Sequence, residues 1–325
     1  MDILNNRYIT YDKIKAFVEP KGSDLNEFGV NYGDVLFQRS SETLEDVGRA
    51  NVYLDNKTAL FGGFVIRGKK IGEYNPLFFR YLLSSPHVRK RIVVKGAGAQ
   101  HFNIGQDGLS KISIFVPTTK EQERIAQLLD LIDERIEVQI RIIEKLKSLM
   151  KGLAENFTAF TPNTKIADCL NCHSSVLLEN QVKSEGYYKV YGANGICGYS
   201  DSPAILEDAI LIVKDGSGVG NVSYASGEYS VIGTSNYLTA KSGYSLKYLY
   251  YCLMIFNFVP YRTGMAIPHI YFKDYGKALI YCPPLDKQIQ IASLLSKIEC
   301  KIAADKSIAD FYQQQKRFLL QSMFI

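Results

Sequence analysis

The sequence predicts an α+β fold in which one mixed α/β domain occurs twice and each copy is followed by a long helix. Three observations support this fold class: an internal repeat with an offset of 166 residues, strand-like apolar runs early in each copy, and two long heptad patterns. A chain of 325 residues is long enough for about two domains with buried cores. We therefore expect two domains of one design.

The repeat is strongest in the second half of each copy. Residues 98–136 align with residues 264–302 without a gap and share 12 identities in 39 positions. Farther upstream the offset grows to 170, so that the aromatic segments 78–83 and 248–253 align. They lie within two predicted short helices at residues 74–83 and 246–254. The same order of strand, glycine turn, aromatic helix, glycine loop, proline and long helix recurs, which disfavours a chance match. Two unrelated α+β domains that look alike are the alternative.

Each copy begins with a globular part that contains a buried strand. The apolar runs at residues 33–37 and 208–213 follow turn residues and predict these strands, and one further small shift in the alignment pairs Asp34 with Asp208. The second part of each copy is a long helix. The predicted segments are a first domain at 1–118, a helix at 119–154, a linker at 155–164, a second domain at 165–285 and a second helix at 286–325.

Both predicted helices carry a 4-3 alternation of apolar residues, which is typical of a coiled-coil seam. The seam positions are Ile125, Leu129, Ile132, Ile136, Gln139, Ile143, Leu146, Met150 and Leu153 in the first helix and Ile291, Leu295, Ile298, Ile302, Asp305, Ala309, Tyr312, Lys316 and Leu319 in the second. Two like copies can pack helix against helix about a pseudo-twofold axis, so we expect an antiparallel coiled coil with one domain at each end. Gln139 and Asp305 interrupt both seams at equivalent positions, either to fix register or partner or because the seam faces solvent there.

The net charge is +5, and it is unevenly distributed along the chain. Residues 64–111 alone carry +7, which exceeds the charge of the whole chain. A local positive field attracts polyanions, and phosphate backbones are the commonest polyanions in a cell. The alternative is a solvated basic face that acidic residues balance elsewhere in the fold.

Composition and hydropathy are those of an ordinary globular protein, with 46% apolar and 22% charged residues. No apolar run approaches the ~20 residues of a membrane span. The opening sequence MDILNNRYIT lacks the apolar segment of a signal peptide. We therefore expect a cytoplasmic protein without membrane contact, in which the six cysteines are reduced.

One cysteine motif needs separate consideration. Residues 169–173 spell C-x-x-C-H, the pattern of covalent haem attachment. A zinc site could combine Cys169, Cys172 and His173 with Cys197, but the sequence contains no second C-x-x-C. The favoured interpretation is that these cysteines pack as small apolar residues, so no metal is expected.

Together these features resemble the specificity subunit of a type I restriction-modification system. The residues that carry the resemblance are 33–43, 59–65, 98–104, 116–117 and 121–122 in the first copy and 214–217, 264–270, 282–284 and 288 in the second. The resemblance implies two target-recognition domains separated by paired helices, each contacting one half of a bipartite site on double-stranded DNA. It also implies methyltransferase (modification) subunits docked on the helices and domains, and restriction/translocase subunits as further partners.

The resemblance implies that catalysis belongs to those partners. Adenine methylation and ATP-driven cleavage would occur there, so S-adenosylmethionine, ATP and Mg are expected on the partner subunits and no cofactor on this chain. The sequence agrees, since it contains no G-x-x-x-x-G-K-[ST], H-E-x-x-H or G-x-S-x-G motif. We therefore expect a non-catalytic subunit.

Candidate DNA contacts follow from residue type, with Lys and Arg suited to phosphates and Arg, Asn, Gln, Ser and Thr to base edges. The candidates are Arg39, Ser40, Arg67, Arg89, Arg91, Lys95, Gln100, His101 and Asn103 in the first domain and Lys214, Ser217, Thr234, Asn236, Arg262 and His269 in the second. Neither His101 nor His269 is expected to be catalytic, because the sequence reveals no partner carboxylate for them. For each candidate, a surface charge or a loop-capping polar group is the alternative.

The two copies differ at their starts. The second begins with a predicted strand at residues 164–170, which has no counterpart in the first. We expect either a truncated chain or a compact first domain, which would leave only one competent DNA-reading domain. Two further functions stay open at this point: a coiled-coil scaffold that binds proteins, and an enzyme with a metal at residues 169–173.

Overall fold

The computed structural model describes residues 2–324 and divides into two compact units. Unit 1 joins the residues up to Arg141 with those from Asp305 onwards, and unit 2 comprises Ile142–Ala304. Each unit therefore holds one globular domain together with one half of each long helix. Among the described helices, none combines the length and the apolar character that crossing a bilayer requires.

Unit 1 contains short strands and helices ahead of the first long helix. In chain order these are α1 (Asp2–Asn5), α2 (Asp24–Glu27), β1 (Gly29–Val30), β2 (Val35–Gln38), β3 (Ser40–Ser41), β4 (Ala50–Val52), β5 (Ala59–Leu60), β6 (Val65–Gly68), α3 (Pro76–Ser84), α4 (Pro86–Val93), β7 (Phe102–Asn103), α5 (Gln106–Ser110) and α6 (Thr119–Thr158), with a 3-10 turn at Tyr11–Lys13. The predicted domain start at Met1 and helix end at Ile325 lie outside the described residues.

The main sheet of unit 1 is antiparallel, with strand order β4-β2-β6. In the central strand β2, Val35 packs into the core beneath α3, whereas Leu36 packs into a smaller core with Tyr53. Because both faces of β2 are covered, its sequence is a nearly continuous apolar run. Helix α3 begins where the side chain of Asn75 accepts a backbone N–H of the first turn (3.0 Å) and Pro76 occupies the first helical position.

Unit 2 has a larger set of strands. Its elements are β8 (Thr164–Lys165), α7 (Ile166–Cys169), β9 (Leu170–Ser174), β10 (Tyr188–Gly192), β11 (Gly195–Ser200), β12 (Ala209–Val213), β13 (Val222–Ala225), β14 (Tyr229–Val231), β15 (Ser235–Ala240), α8 (Leu246–Ile255), α9 (Phe272–Tyr275), β16 (Leu279–Ile280) and α10 (Leu285–Ser322), with 3-10 turns at Glu179–Gln181 and Val259–Tyr261.

The main sheet of unit 2 is antiparallel, with strand order β13-β12-β15-β9. All of β12 is buried, with Ile210 and Ile212 in one core and Ala209 and Leu211 in a second. A separate sheet, β11-β10-β14, borders the second core and contains a parallel pairing that the repeat did not predict.

The predicted strand at 164–170 is wrong, because Ile166–Cys169 forms a short helix that buries Ile166 and Cys169, and the sheet strand β9 begins only at Leu170. Strand β9 pairs with β15, whereas in the described part of unit 1 no strand pairs with the equivalent edge of β6.

The pairing registers of the two main sheets correct one feature of the sequence alignment. Gln38 lies opposite Val65 in unit 1, and Val213 lies opposite Ser235 in unit 2. Since Val65 and Ser235 are related by the offset of 170, Gln38 and Val213 correspond at an offset of 175. The predicted match of Asp34 to Asp208, just ahead of β12, is therefore wrong by one residue. The segment that joins the two paired strands is five residues longer in unit 1 than in unit 2, and the sequence alignment assigned only four of these residues to it.

The first long helix extends beyond its predicted end. Helix α6 continues to Thr158, through the first four residues of the predicted linker. Ala154 in its last turns is 1% exposed in the core of unit 2, and the first helix-breaking residue beyond it is Pro162. The apolar packing of the last turns and the late proline together explain the longer helix.

The second long helix ends before its predicted bound. Helix α10 ends at Ser322, and Phe324 then packs into the core of unit 1 with its ring centroid 5.5 Å from that of Phe78. Burying this aromatic ring against the globular domain requires the chain to leave the helix axis. The seam pattern of the sequence could not indicate this, because Phe324 lies beyond the last seam residue.

The halves of the two long helices run antiparallel. In unit 1, Asp133 of α6 pairs with Lys316 of α10, while the earlier Ala126 shares a core with the later Phe324. In unit 2, the end of α6 shares a core with Leu295 near the start of α10. Every predicted seam position is buried or half-buried.

One buried glutamine in each unit connects the aromatic helix to the start of the long helix. Gln122 accepts the backbone N–H of Asn75 (2.9 Å) and donates to the carbonyl of the proline five residues earlier (2.9 Å). Gln288 makes the same two bonds, with the N–H of Ser245 (2.9 Å) and the carbonyl of the proline five residues earlier (2.8 Å). Asn75 and Ser245 are the N-cap residues of α3 and α8. We call these side chains the glutamine bridges.

A buried tyrosine makes a second repeated link between these helices. Tyr81 donates its hydroxyl to Asp133 in unit 1 (2.9 Å), and Tyr251 donates to Glu299 in unit 2 (2.9 Å). Each carboxylate also pairs with a cation of the same aromatic helix, at 3.2 Å in unit 1 and 2.9 Å in unit 2. Because buried polar groups must find partners, these contacts fix the rotation of the aromatic helix on the long helix.

We expect Gln122→Leu to destabilise unit 1 by about 1–2 kcal/mol, because it leaves an N–H donor and a carbonyl acceptor without their partner. Urea unfolding followed by circular dichroism measures the loss, and hydrogen exchange of the peptide containing Asn75 locates it. The control is Gln127→Leu, the same change at an exposed position of the same helix. Equal effects of the two substitutions would contradict a structural role for the bridge.

Candidate nucleic-acid interface

In both units, the residue that follows the central strand is a cation held by the same backbone hydrogen bonds. Arg39 donates its N–H to the carbonyl just before β6 (2.9 Å) and accepts the N–H of Ile104 (3.0 Å). Lys214 donates its N–H to Thr234, just before β15 (2.9 Å), and accepts the N–H of Ile270 (2.9 Å). Arg39 and Lys214 therefore occupy one structural position, at the offset of 175 given by the strand register.

A short loop approaches each of these strand ends. Two backbone hydrogen bonds join its ends, between Ala97 and Asn103 in unit 1 (2.9 and 2.8 Å) and between Thr263 and His269 in unit 2 (2.9 and 2.7 Å). We call these segments the 97–103 loop and the 263–269 loop. Their equal length and equal closure give both units the same backbone frame.

The second residue of each loop must be glycine. Gly98 has φ +144° and Gly264 has φ +86°, a region that L side chains rarely adopt. A Cβ at Gly98 would overlap the carbonyl oxygen of His101, and a Cβ at Gly264 would overlap that of Ile267. The tight turn therefore depends on backbone packing that no side chain allows.

A side-chain hydrogen bond closes each loop onto its strand end. Ser40 donates its hydroxyl to Oδ1 of Asn103 (2.5 Å), and His269 donates Nδ1–H to Oδ1 of Asp215 (2.7 Å). Nζ of Lys214 lies 3.0 Å from the second carboxylate oxygen of Asp215. Burial favours a higher pKa for Asp215, but the hydrogen bonds and charges of His269 and Lys214 outweigh it and lower that pKa. We call Ser40–Asn103 and Asp215–His269 the loop anchors.

The loop apices and their surroundings are accessible. Gln100 and His101 are exposed in the 97–103 loop, and Ser217 is exposed just beyond the strand end of unit 2. In the 263–269 loop, Met265 is fully exposed and Ile267 is 58% exposed. Cations, hydrogen-bonding groups and apolar atoms thus surround the strand end of each unit, a combination suited to phosphates and base edges.

Arg67 lies near the strand end of unit 1. Arg39 and Arg67 line one cleft of about 710 Å³ together with Gln106 and Asp107. The guanidinium of Arg67 donates to the carbonyl of Gly29 and lies 5.4 Å from the centroid of an aromatic ring. Arg67 therefore supports the cleft from within, while Arg39 is the more exposed of the two cations.

The remaining basic candidates of unit 1 lie on α4 and just after it. Arg89 donates to two carbonyls of the turn before β4 (2.7 and 2.8 Å), and its burial, with the charge of Arg49, lowers its pKa. Arg91 donates to the carbonyl of Ser113 (2.5 Å), whereas Lys95 is exposed. The two arginines thus hold neighbouring segments together.

Two candidates of unit 2 also have internal partners. Asn236 is 6% exposed within β15 and accepts the hydroxyl of Ser174 in β9 (3.0 Å). Arg262 is exposed and donates to the carbonyl of Val219 (2.9 Å). Asn236 offers little surface to a ligand, whereas the outer part of Arg262 stays accessible.

Sequence reasoning missed two residues of this site, Asp215 and Tyr271. Asp215 is the partner carboxylate of His269, and the ring of Tyr271 stacks against the imidazole (centroids 6.5 Å apart, planes at 21°). The offset of 175, read from the strand register, would have placed Asp215 opposite Ser40. The sequence alignment has an offset of 174 at this point, which pairs Ser40 with Lys214 and hides its equivalence with Asp215.

The side chains of the cysteine-histidine motif at residues 169–173 make separate packing and hydrogen-bond contacts. Within residues 2–324, no group of three or more His, Cys, Asp or Glu side chains is placed to hold a metal ion. His173 shares a hydrogen bond with Thr239 (3.1 Å) and stacks on Tyr237 with centroids 4.8 Å apart. Cys169 is fully buried, and burial raises the pKa of Cys172 to about 11.

Comparison with known families gives a match to both halves of the chain. The model of the type I restriction modification DNA specificity domain matches residues 4–148 and again residues 165–310. The two matched segments correspond to the two copies of the repeat and each includes a large part of one long helix.

Two curated relatives from Escherichia coli are specificity subunits of type I restriction enzymes. The EcoprrI subunit is 25% identical over 118 residues, which cover 36% of this chain and 29% of the relative. The EcoKI subunit, from strain K12, is 30% identical over 115 residues, which cover 34% of this chain and 25% of the relative. The matched segment thus spans less than a third of either relative.

Two solved structures share the fold. The crystal structure of a type I restriction-modification S subunit from M. genitalium superposes with a TM-score of 0.64 at 18% identity, covering 92% of this chain and 85% of that one. A chain from a study of the assembly and conformational transition of a type I R-M system gives a TM-score of 0.55 at 15% identity, covering 90% and 81%.

We expect Gly264→Ala to open the 263–269 loop. The new Cβ would overlap the Ile267 carbonyl at an unfavourable φ, a strain of about 1–3 kcal/mol. Hydrogen exchange of the peptide spanning this loop should accelerate about tenfold or more. The control is Gly243→Ala, which also has a positive φ (+88°) but open space around the added Cβ. Unchanged exchange in Gly264→Ala would contradict the close backbone packing.

Proposed function

This chain belongs to the type I restriction modification DNA specificity family, and on that premise we propose that it is the subunit that selects the DNA sequence for such a system. Unit 1 and unit 2 each read one half of a bipartite site on double-stranded DNA. The observation that carries this proposal is the duplicated strand end, where a cation, an anchored loop and exposed hydrogen-bonding groups recur in one backbone frame.

The two kinds of side chain at each strand end have different tasks in this proposal. Arg39 and Lys214 contact phosphates, which adds affinity that depends on salt but not on sequence. Asn103, His269 and the exposed Gln100 reach base edges in the major groove, where donor and acceptor patterns differ between base pairs. Arg89 supports the domain from within, Arg91 bonds a neighbouring segment at the surface, and both add to the positive field around the domain.

The proposed complex includes methyltransferase subunits docked on the long helices. Large apolar side chains are exposed on these helices, among them Leu131 (59%), Phe311 (65%) and Phe318 (66%) in unit 1 and Leu149 (51%) and Ile289 (54%) in unit 2. We assign these side chains to the contact with the methyltransferase subunits, because exposed apolar patches are typical of partner surfaces. Restriction/translocase subunits join through that assembly, in the cytoplasm, where the DNA is. S-adenosylmethionine, ATP and Mg belong to these partners.

A narrower function has one specific observation in its favour. Within the described residues, unit 1 has no counterpart of β9, which pairs with β15 and bonds Ser174 to Asn236 in unit 2. If this strand is needed for reading, unit 2 alone discriminates sequence and unit 1 contributes phosphate contacts. The two versions differ in whether one or both halves of the DNA site are specified.

Adenine methylation in host DNA tests the proposed function. Deleting the gene should abolish methylation at one bipartite motif and leave the other methylated motifs unchanged, and restoring the gene should restore it. A motif with two specified halves supports reading by both units, and one specified half supports the narrower function. Unchanged methylation, with no methyltransferase recovered on purification of the full chain, would refute the proposal.

Arg39→Ala should weaken DNA binding with little change in sequence preference, because the side chain is assigned to a phosphate. The slope of log K against log salt should become shallower by about 1. Binding to a labelled duplex that carries the methylated motif is measured between 50 and 200 mM salt, about the range over which such slopes are read. Lys15→Ala, at an exposed cation outside the site, is the control and should leave the slope unchanged.

A further inference from the structure

The two loops share a backbone but differ in the chemistry of their anchors. Both close through the same pair of hydrogen bonds, and both join the strand end through the same residue pair in an antiparallel bridge. Ser40 corresponds to Asp215 and Asn103 to His269, at offsets of 175 and 166. One unit therefore carries a neutral hydroxyl–amide anchor, and the other a carboxylate–imidazole anchor.

Each anchor leaves a different group free for a ligand. In unit 1, Oδ1 of Asn103 accepts the hydroxyl of Ser40 and its Nδ2 donates one N–H to the carbonyl of His101 (3.5 Å), so the exposed side chain presents the second N–H of its amide to a ligand. In unit 2, the carboxylate of Asp215 can only accept, so it fixes the proton of His269 on Nδ1 and leaves Nε2 for the ligand. The partner residue thus selects which atoms of the reading residue remain available.

The orientation of the imidazole is supported from further sides. Lys214 holds the second oxygen of Asp215 at 3.0 Å, and Tyr271 stacks on the ring. The side chain of His269 is 35% exposed, so part of the ring remains open to solvent. An imidazole held on one nitrogen offers its other nitrogen in a defined direction, which base-edge recognition requires.

We propose that the loop anchors determine the half-site sequences: Asn103 and His269 contact base edges, and Ser40 and Asp215 are the positioning residues that select which of their atoms do so. The inference rests on the proposed function. It follows that exchanging one anchor for the other changes the sequence read by a single unit. Residues at the loop apex, such as Gln100, add further contacts to DNA once the anchors have fixed the position of the loop.

An anchor transplant tests this directly. The full chain in complex with its methyltransferase subunits is used to select binders from a pool of DNA duplexes with a randomised central region. The wild type should recover a bipartite motif; failure at this step would count against the proposed function itself. The double variant Asp215→Ser with His269→Asn should alter one or two base positions in one half of the motif and leave the other half unchanged.

The reciprocal variant, Ser40→Asp with Asn103→His, should alter the other half. Either double variant is informative if the other fails to assemble. An unchanged motif in both assembled variants, or a loss of affinity that is equal for all sequences, would overturn the inference.

Two single substitutions separate positioning from folding. Asp215→Ala should reduce discrimination between the wild-type half-site and its single-base variants about tenfold, which is within the range for one base contact. Asp215→Asn, which can still accept from Nδ1, should retain most of that discrimination. The control, Asp201→Ala, removes an exposed aspartate paired with Lys183 elsewhere in unit 2 and should have no effect. A fall in melting temperature with unchanged discrimination in Asp215→Ala would also overturn the inference.

Discussion

The glutamine bridges are the interaction on which the rest of each unit depends. Gln122 and Gln288 each connect the first turn of an aromatic helix to the proline that precedes a long helix. The chain between these two points includes the aromatic helix and the loop that approaches the strand end. A single buried side chain thus joins two points that are far apart in the sequence, and it can do so because an amide is both donor and acceptor. An ionised carboxylate at the same position could accept but could not donate.

The net charge of +7 on residues 64–111 overstates the exposed charge, because some of these cations have partners within the fold, such as a buried carboxylate on the first long helix. Asp133 is 7% exposed and receives a hydroxyl from Tyr81 and cations from Arg80 and Lys316. A buried carboxylate is costly unless it is paired, so cations are retained around it for structural reasons. Arg80, like Arg89, therefore adds to the charge counted along the sequence but has an internal partner. The positive charge of residues 64–111 that is available to a ligand is therefore smaller than the count along the sequence, and it includes exposed residues such as Lys90 and Lys95.

Much of the architecture followed from the sequence because it depends on spacing. The heptad pattern predicted the two long helices. Gln122 and Gln288 are related by the offset of the repeat because each makes the same two backbone hydrogen bonds in its own copy. Loop lengths follow no such period. The segment between the central strand and its paired neighbour differs in length between the units, so the alignment was displaced by one residue at the central strand and hid the equivalence of Ser40 with Asp215. The sheet β11-β10-β14 has no counterpart in the repeat, so self-similarity could not reveal it.

For the site, sequence chemistry identified residue types but could not tell an internal partner from an external one. Arg39, Ser40, Asn103, Lys214 and His269 come together at strand ends, whereas other candidates of the same types hold carbonyls within the domain. An arginine beside a loop carries the same charge in both cases. Only the fold decides whether backbone carbonyls lie within its reach, as they do for Arg89. The sequence pattern could not separate these two kinds of arginine, because it does not indicate where main-chain carbonyls lie in the folded domain.

The packing of Gly98 and Gly264 against loop carbonyls has a consequence for how such a protein can change over time. Since each loop is shaped by its own backbone, the side chains at its apex are not needed to maintain that shape. Replacements there carry little folding penalty, and drift at these positions is tolerated. Point substitutions can therefore accumulate at the apex while the scaffold persists. By fixing the backbone, the glycine leaves the neighbouring positions free to evolve.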